Sequence, residues 1–379
     1  MSKFKLFLFT CIGLGLSGFI TFLMLEIGLR FLPVAEPLFS QAVTQEQPIA
    51  RFMPDRTITW SNDWQFSIVN ERHINNDGFM NDQNYSANDN KPLMAVIGDS
   101  YIEAVMVPYE ETLYGRLAGV VGDQKRVYSF GASGAPLSQY LIWARYAKQT
   151  YKPSMMVFTI VGNDFDESLP QYAVSQTFHH FAENENGVLE ARLLEEYIPS
   201  KLRSVIAHSA LARYLFFNLK VSQSYNRFKQ KLSRQNNAET LYINNVEAFT
   251  SEEKLNDSYR AISAFFDLLP SYSGLDPKDI VLAIDAPRRF IYSPDMKPEE
   301  KSYFEKTREF FIREGRQKGF TVIDMLPAFS RHYSENSQKF ENETDWHWNG
   351  LGHDVVHQEI LNTGAFRRFM NQTPRLIDY

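Results

Sequence analysis

The chain has 379 residues, 44% apolar and 22% charged, which suits one large α/β domain with an insertion, or two domains. Its net charge of −6, with no basic tail and no zinc-spaced Cys/His pattern, argues against nucleic-acid binding. A single cysteine, Cys11, excludes an intrachain disulfide.

Lys3 and Lys5 precede Leu6 to Leu25, a run without a charged residue. About 20 apolar residues in a helix span a bilayer core of about 30 Å. A secretory signal peptide has a shorter core and a small-x-small cleavage site. Leu8-Phe9-Thr10 also lacks the small residue that a lipoprotein cleavage site places just before Cys11. The expectation is an uncleaved signal anchor over 1–25, with a cleaved signal peptide as the alternative. Lysines on the N-terminal side predict that end in the cytoplasm and everything after Glu26 outside it, in the periplasm or at the cell surface.

Residues 26–90 read as a lead-in, with Asn70 to Asn90 a loop rich in Asn and Asp. Leu93 to Ile97 is a short apolar run ending at Gly98, a buried strand. Glu111 to Val121 has helical spacing. Val127 to Phe130 is a second strand, ending at Gly131. Leu137 to Tyr151 is helical, and Met155 to Val161 is a third strand, ending at Gly162. Strands alternating with helices predict a central parallel sheet covered on both faces. Residues 167–255 break the pattern and read as a helical insertion. Within it, 201–236 holds eight Lys/Arg and no Asp or Glu, including Lys220, Arg227 and Lys229. This is either a solvated face of a packed cap or a surface for anionic lipid headgroups or an anionic glycan. The α/β pattern resumes with a helix near Tyr259 to Leu269, a strand at Ile280 to Ile284, a helix at Glu299 to Lys318 and a strand at Thr321 to Ile323. Asp345 to His353 reads as a polar loop, and Val355 to Phe369 as a last helix. The catalytic domain is thus expected over 91–370.

Ligands of open α/β sheets sit beyond the C-terminal strand ends. Ser100, Gly131 and Asn163 each follow such an end, so three distant positions are expected on one rim. Ser100 is expected at a helix N-terminus, where N–H groups favour developing negative charge. Serine needs a base, and His347 is the candidate, with Asp345 to orient it. Ser100 N–H, Gly131 N–H and the Asn163 amide are candidate oxyanion donors. Asp99 and Asp164 read as turn-stabilising, His353 as structural and bonded to backbone, His179-His180 as surface, and Asp285 as a helix cap or a partner of Arg288. No phosphate loop or zinc signature appears, so neither a cofactor nor a metal is expected.

These blocks together resemble the SGNH (GDSL-like) hydrolase superfamily. Gly98-Asp99-Ser100 is similar to its Ser block and Gly131 to its Gly block. Gly162-Asn163-Asp164 is similar to its Asn block, and Asp345-Trp346-His347 to its His block. The resemblance spans about 93–165 and 280–365. It implies a flavodoxin-like three-layer α/β/α fold, a triad of Ser100, Asp345 and His347, and an oxyanion hole of Ser100, Gly131 and Asn163. The family often places two residues between Asp and His, against one here. That spacing is similar to alginate-type polysaccharide O-acetyltransferases and some exported esterases, and it leaves Glu343 and Asp324 as fallback acids. A nucleophile elbow, Gly-x-Ser-x-Gly, is excluded because Ile102 follows Tyr101. The implied substrate is an acylated, by analogy acetylated, glycan or lipid of the cell envelope. Hydrolysis and O-acyl transfer use the same residues. A non-catalytic glycan-binding protein and an accessory subunit docking a membrane acyl donor are the readings from other classes.

Overall fold

The computed structural model describes residues 2–221, 241–343 and 345–374. The chain divides into two compact units. One comprises Met1–Phe39, Thr57–Glu71 and Pro199–Asn237, and the other Ser40–Arg56, Arg72–Ile198 and Ala238–Tyr379.

The larger unit carries the sheet. Its strands are β1 (Leu93–Gly98), β2 (Arg126–Gly131), β3 (Met155–Ile160), β4 (Ile280–Ile284) and β5 (Thr321–Asp324). They lie in the order β2-β1-β3-β4-β5 with every pair parallel. This is the flavodoxin-like order, whose switch point falls between β1 and β3. Every residue of β1 to β4 is buried. Such strands show no apolar alternation because helices cover both faces. The helices Leu137–Thr150, Glu252–Ser273 and Tyr303–Gln317 pack together as one group. Leu113–Val121, Met325–Asn336, Gly350–Leu361 and Gly364–Met370 form the other. Each Val, Leu, Ile or Phe buried this way contributes about 1.5–3 kcal/mol.

Helix starts follow local chemistry. Ser302 and Glu305 form a reciprocal capping box, and Asn349 Oδ1 accepts from Gly352 N at 3.0 Å. Thr363 Oγ1 accepts from Phe366 N at 3.1 Å. That cap splits the single helix expected over 355–369 into two.

Several expectations are corrected. Asp345–Trp348 is not loop but a strand, paired antiparallel with Glu341–Asn342, and the next helix starts at Gly350. The 167–255 stretch contains two hairpins beside its helices, His180–Glu183 with Leu189–Arg192 and Tyr242–Ile243 with Val246–Glu247. Strands of two to four residues are too short for periodicity to reveal. A two-stranded sheet pairs Arg56–Asn62 with Ile68–Ile74, so strand runs into the expected Asn70–Asn90 loop. His179 and His180 are buried rather than on the surface. His179 Nδ1 lies 3.0 Å from Gln139 Oε1, and burial pulls the His179 ring down to about 4, so it is neutral near pH 7. Arg227 and Lys229 lie outside the described residues.

The smaller unit begins with an apolar helix, Lys3–Leu29, of 27 residues and mean hydropathy 2.1, none of its most apolar window buried. It is long and apolar enough to cross a membrane or serve as a signal anchor.

Candidate active site

Ser100 stands immediately beyond β1. Asp99 shapes the turn: its Oδ1 accepts from Tyr101 N at 2.9 Å, and its Oδ2 accepts from Ser100 Oγ at 3.0 Å. The helix that follows is a single turn, Ser100–Glu103, closed by Ala104 in the left-handed region at φ 45°. It is too short to carry the macrodipole of a longer helix, and the N–H groups of Tyr101, Ile102 and Glu103 are taken by Asp99.

His347 lies on the Asp345–Trp348 strand. Asp345 Oδ1 accepts from the His347 backbone N at 2.9 Å and also contacts Nδ1 of the same ring. One intervening residue suffices because an Asp side chain readily bonds the backbone two residues on. Of the fallback acids, Asp324 pairs with Arg308 and caps Leu326 N at 2.9 Å, and Glu343 is exposed. Asp345 is the carboxylate on His347.

A buried arginine fastens this strand to the serine turn. Arg288 donates to Tyr101 Oη at 2.8 Å and to Trp346 O at 2.6 Å. It also pairs with Glu341 at 2.6 Å and Asp285 at 3.3 Å. Tyr101 Oη in turn donates to Trp346 O at 3.0 Å, and its ring centroid lies 5.1 Å from that of His347. Asp285 accepts from Trp348 Nε1 at 3.1 Å and from Asn244 Nδ2 at 2.9 Å. Asp285 thus has the Arg288-paired role expected of it.

Electrostatics favour a charged imidazole. Burial pushes the His347 pKa down, but the hydrogen bond and charge of Asp345, then the charges of Asp99 and Glu103, outweigh it, and the net shift is upward. Nδ1 is engaged by Asp345. Among the described residues Nε2 has no hydrogen-bond partner, and Ser100 Oγ bonds Asp99 rather than His347. The structure therefore brings the two elements together without a Ser100–His347 hydrogen bond. Such bonds often form only when substrate is bound.

Gly131 ends β2, in register with Gly98. A Cβ at Gly131 would fall 2.9 Å from Glu103 N and from Ile102 side-chain atoms, so only glycine lets the serine turn approach. Asn163 lies three residues beyond β3. Its Nδ2 donates to Glu167 Oε2 at 3.1 Å, and its Oδ1 accepts from Asn245 Nδ2. The carbonyl and one amide proton are committed, which leaves one donor. Burial, partly offset by that Asn163 bond, raises Glu167 to about 7. Asp164 Oδ2 accepts from Val161 N at 2.8 Å, closing the turn. Burial and then the charge of Asp99 push the Asp164 carboxyl well up.

One residue escaped the sequence reading. Glu103, buried at the end of the serine turn, accepts from Ser133 N at 2.6 Å and from Ser133 Oγ at 2.9 Å, tying that turn to the loop after Gly131. Burial raises its pKa, with the Ser133 bonds and His347 opposing. The available signal was an acid three residues after Ser100, followed by the apolar Ala104 to Val107. His353 is buried, but its ring makes no bond to backbone: among the described residues neither ring nitrogen has a partner, and the ring packs edge-on to Trp348 at 5.6 Å. Burial draws it down to about 3, so it is neutral. Among the described residues no group of three His, Cys, Asp or Glu is placed to hold a metal.

No family model matches the sequence, and no curated protein does. Several solved structures are loosely similar. The lipase/acylhydrolase from Enterococcus faecalis shares 11% identity over 75% of this chain and 99% of its own, with a TM-score of 0.39. A two-domain esterase active on acetylated mannans shares 8% over 77% and 55%, with a TM-score of 0.36. A salicylyl-acyltransferase from a tetracycline biosynthetic pathway shares 12% over 75% and 57%, also at 0.36.

Proposed function

We propose that this chain is an SGNH-type serine enzyme that cleaves acyl esters through an acyl-enzyme. The observation that carries this reading is the Asp345–His347 pair on a strand fastened through Tyr101 and Arg288 to the turn bearing Ser100. Ser100 Oγ attacks the acyl carbonyl as His347 Nε2 takes its proton. Asp345 fixes the tautomer and stabilises the imidazolium. The oxyanion is met by the N–H groups of Ser100 and Gly131 and by the remaining Asn163 amide proton. Collapse breaks the ester C–O bond, and the leaving alcohol takes the proton from His347. Water or a sugar hydroxyl, deprotonated by the same ring, then releases the acyl group. Water as acceptor makes an esterase of O-acyl, foremost O-acetyl, esters on envelope glycans or lipids. A glycan hydroxyl makes an O-acyltransferase from the same residues, supplied by a membrane acyl-donor partner.

The apolar Lys3–Leu29 helix supports a single N-terminal membrane anchor, with the sheet-bearing unit extracytoplasmic. The test is turnover of an activated acetyl ester by the full chain in detergent, beside Ser100→Ala, followed by the partition of acetyl between water and added glycan. Turnover lost in Ser100→Ala supports the enzyme. No turnover by folded protein, with glycan binding retained, would replace it with a binding module.

A further inference from the structure

The smaller unit, described by itself, is built around the last turns of the apolar helix. Glu26, near that helix's end, accepts from Ser209 Oγ at 2.8 Å and from Ala210 N and Leu211 N at 3.0 Å each. It thereby caps the short helix Ala210–Arg213. Leu29, Val34 and Ala210 form a small core, with Phe66, Leu211 and Tyr214 packed against it. Phe66 and Tyr214 lie 5.7 Å apart, and Tyr214 Oη donates to Trp64 O at 3.1 Å. The apolar helix thus runs directly into a knot of aromatic side chains.

That knot leaves large apolar side chains uncovered. Phe31 is 84% exposed, Trp64 64% and Phe216 51%, with Leu32 and Leu215 beside them in sequence also exposed. Scattered exposed apolar residues are ordinary. Here Phe31 and Leu32 directly follow a helix of membrane-spanning length, and Trp64 and Phe216 are close in sequence to the Phe66–Tyr214 pair that packs against its end; Trp and other aromatics favour the headgroup region at such a place.

Charge points the same way. The unit's 199–237 segment carries eight Lys/Arg and no Asp or Glu. Three of the unit's four acids face inward to their own neighbours. Glu26 pairs with Arg30 at 2.9 Å, Glu36 with Arg213 at 3.3 Å, and Asp63 accepts from Gln65 N at 2.7 Å. Among the described residues of that segment, Lys201 and Lys220 have no acidic partner in the unit, and an anionic surface attracts such charges.

We infer that this unit is an interfacial collar: Phe31, Trp64 and Phe216 sit in the headgroup region of the bilayer leaflet where the anchor emerges, and Lys201 and Lys220 meet anionic headgroups there. The inference rests on reading Lys3–Leu29 as a membrane anchor. The anchor holds the chain by burying apolar surface, and the collar adds interfacial aromatic and electrostatic contacts.

The experiment uses the full chain reconstituted into vesicles of phosphatidylcholine, with or without phosphatidylglycerol. Flotation after an alkaline wash reports the anchor. Trp64 is read as the difference between wild-type and Trp64→Phe emission, with acyl chains brominated near the headgroup as quencher. Trp64→Phe keeps the backbone acceptor for Tyr214, so the fold is retained. A second reporter, Phe216→Trp in the Trp64→Phe background, samples the other side of the knot. The collar predicts that both difference signals fall at least about twofold in brominated vesicles, more so with phosphatidylglycerol. Protein that floats while both signals ignore bromine and are quenched by aqueous iodide overturns the collar and leaves the anchor standing. Protein that fails to float overturns the anchor reading itself. Quenching equal with and without phosphatidylglycerol overturns the role given to Lys201 and Lys220.

Discussion

At the scale of single residues, the proposed mechanism turns on the Asp345–His347 contact. A general base at His347 has to be neutral to act, and its pKa is raised by Asp345, Asp99 and Glu103 against the pull of burial. Activity should therefore be lost as pH falls, along a limb lying above the ordinary imidazole value of about 6.5. Asp345→Asn removes the charge that raises the ring and the acceptor that fixes its tautomer. It should lower kcat by about 10³–10⁴-fold and move the limb toward lower pH. A pH–rate profile showing the limb unmoved or shifted upward would assign the acid elsewhere. Glu103→Gln is the gentler companion. The amide keeps an acceptor for Ser133 N and offers a donor to Ser133 Oγ, while its charge disappears. The limb should again move toward lower pH with kcat within a few-fold of wild type; an unchanged limb would show that Glu103 does not reach His347 electrostatically.

Among elements, the Arg288 cluster does what no local sequence signal announces. It joins the serine turn, the His347 strand and the segment after β4 by way of Tyr101, Trp346, Glu341 and Asp285. Arg288→Ala leaves the buried Asp285 and the half-buried Glu341 without their cation and should cost about 3–5 kcal/mol. Denaturant unfolding measures that loss, and a change under about 1 kcal/mol would mean the network relaxes around water. Long apolar runs made β1 to β4 legible in the sequence, and Ser100, Gly131 and Asn163 could be placed at strand ends because a parallel sheet puts its functional loops there. Asp345 and His347 were legible as a pair by chemistry, but their strand was not. Its four residues, Asp345-Trp346-His347-Trp348, owe their conformation to Glu341–Asn342 and to the distant Tyr101 and Arg288. Glu103 and His179 were missed for a related reason: burial of a polar residue depends on what packs over it, which no spacing records.

For the whole molecule, the proposed ester-cleaving site is paired with a proposed membrane anchor, the Lys3–Leu29 helix. The full chain should sediment with membranes and resist alkaline extraction, whereas a chain lacking residues 2–25 should be released. Extraction of the full chain by alkali alone would remove the anchor from the account and leave the site untouched.

Activation of Ser100 by His347 is read at the atom concerned by covalent labelling with a fluorophosphonate, the modified peptide being identified by mass spectrometry. Rapid labelling at Ser100 is expected, abolished in Ser100→Ala and strongly slowed in His347→Ala. Labelling at another serine, or no labelling of a demonstrably folded chain, would contradict that activation.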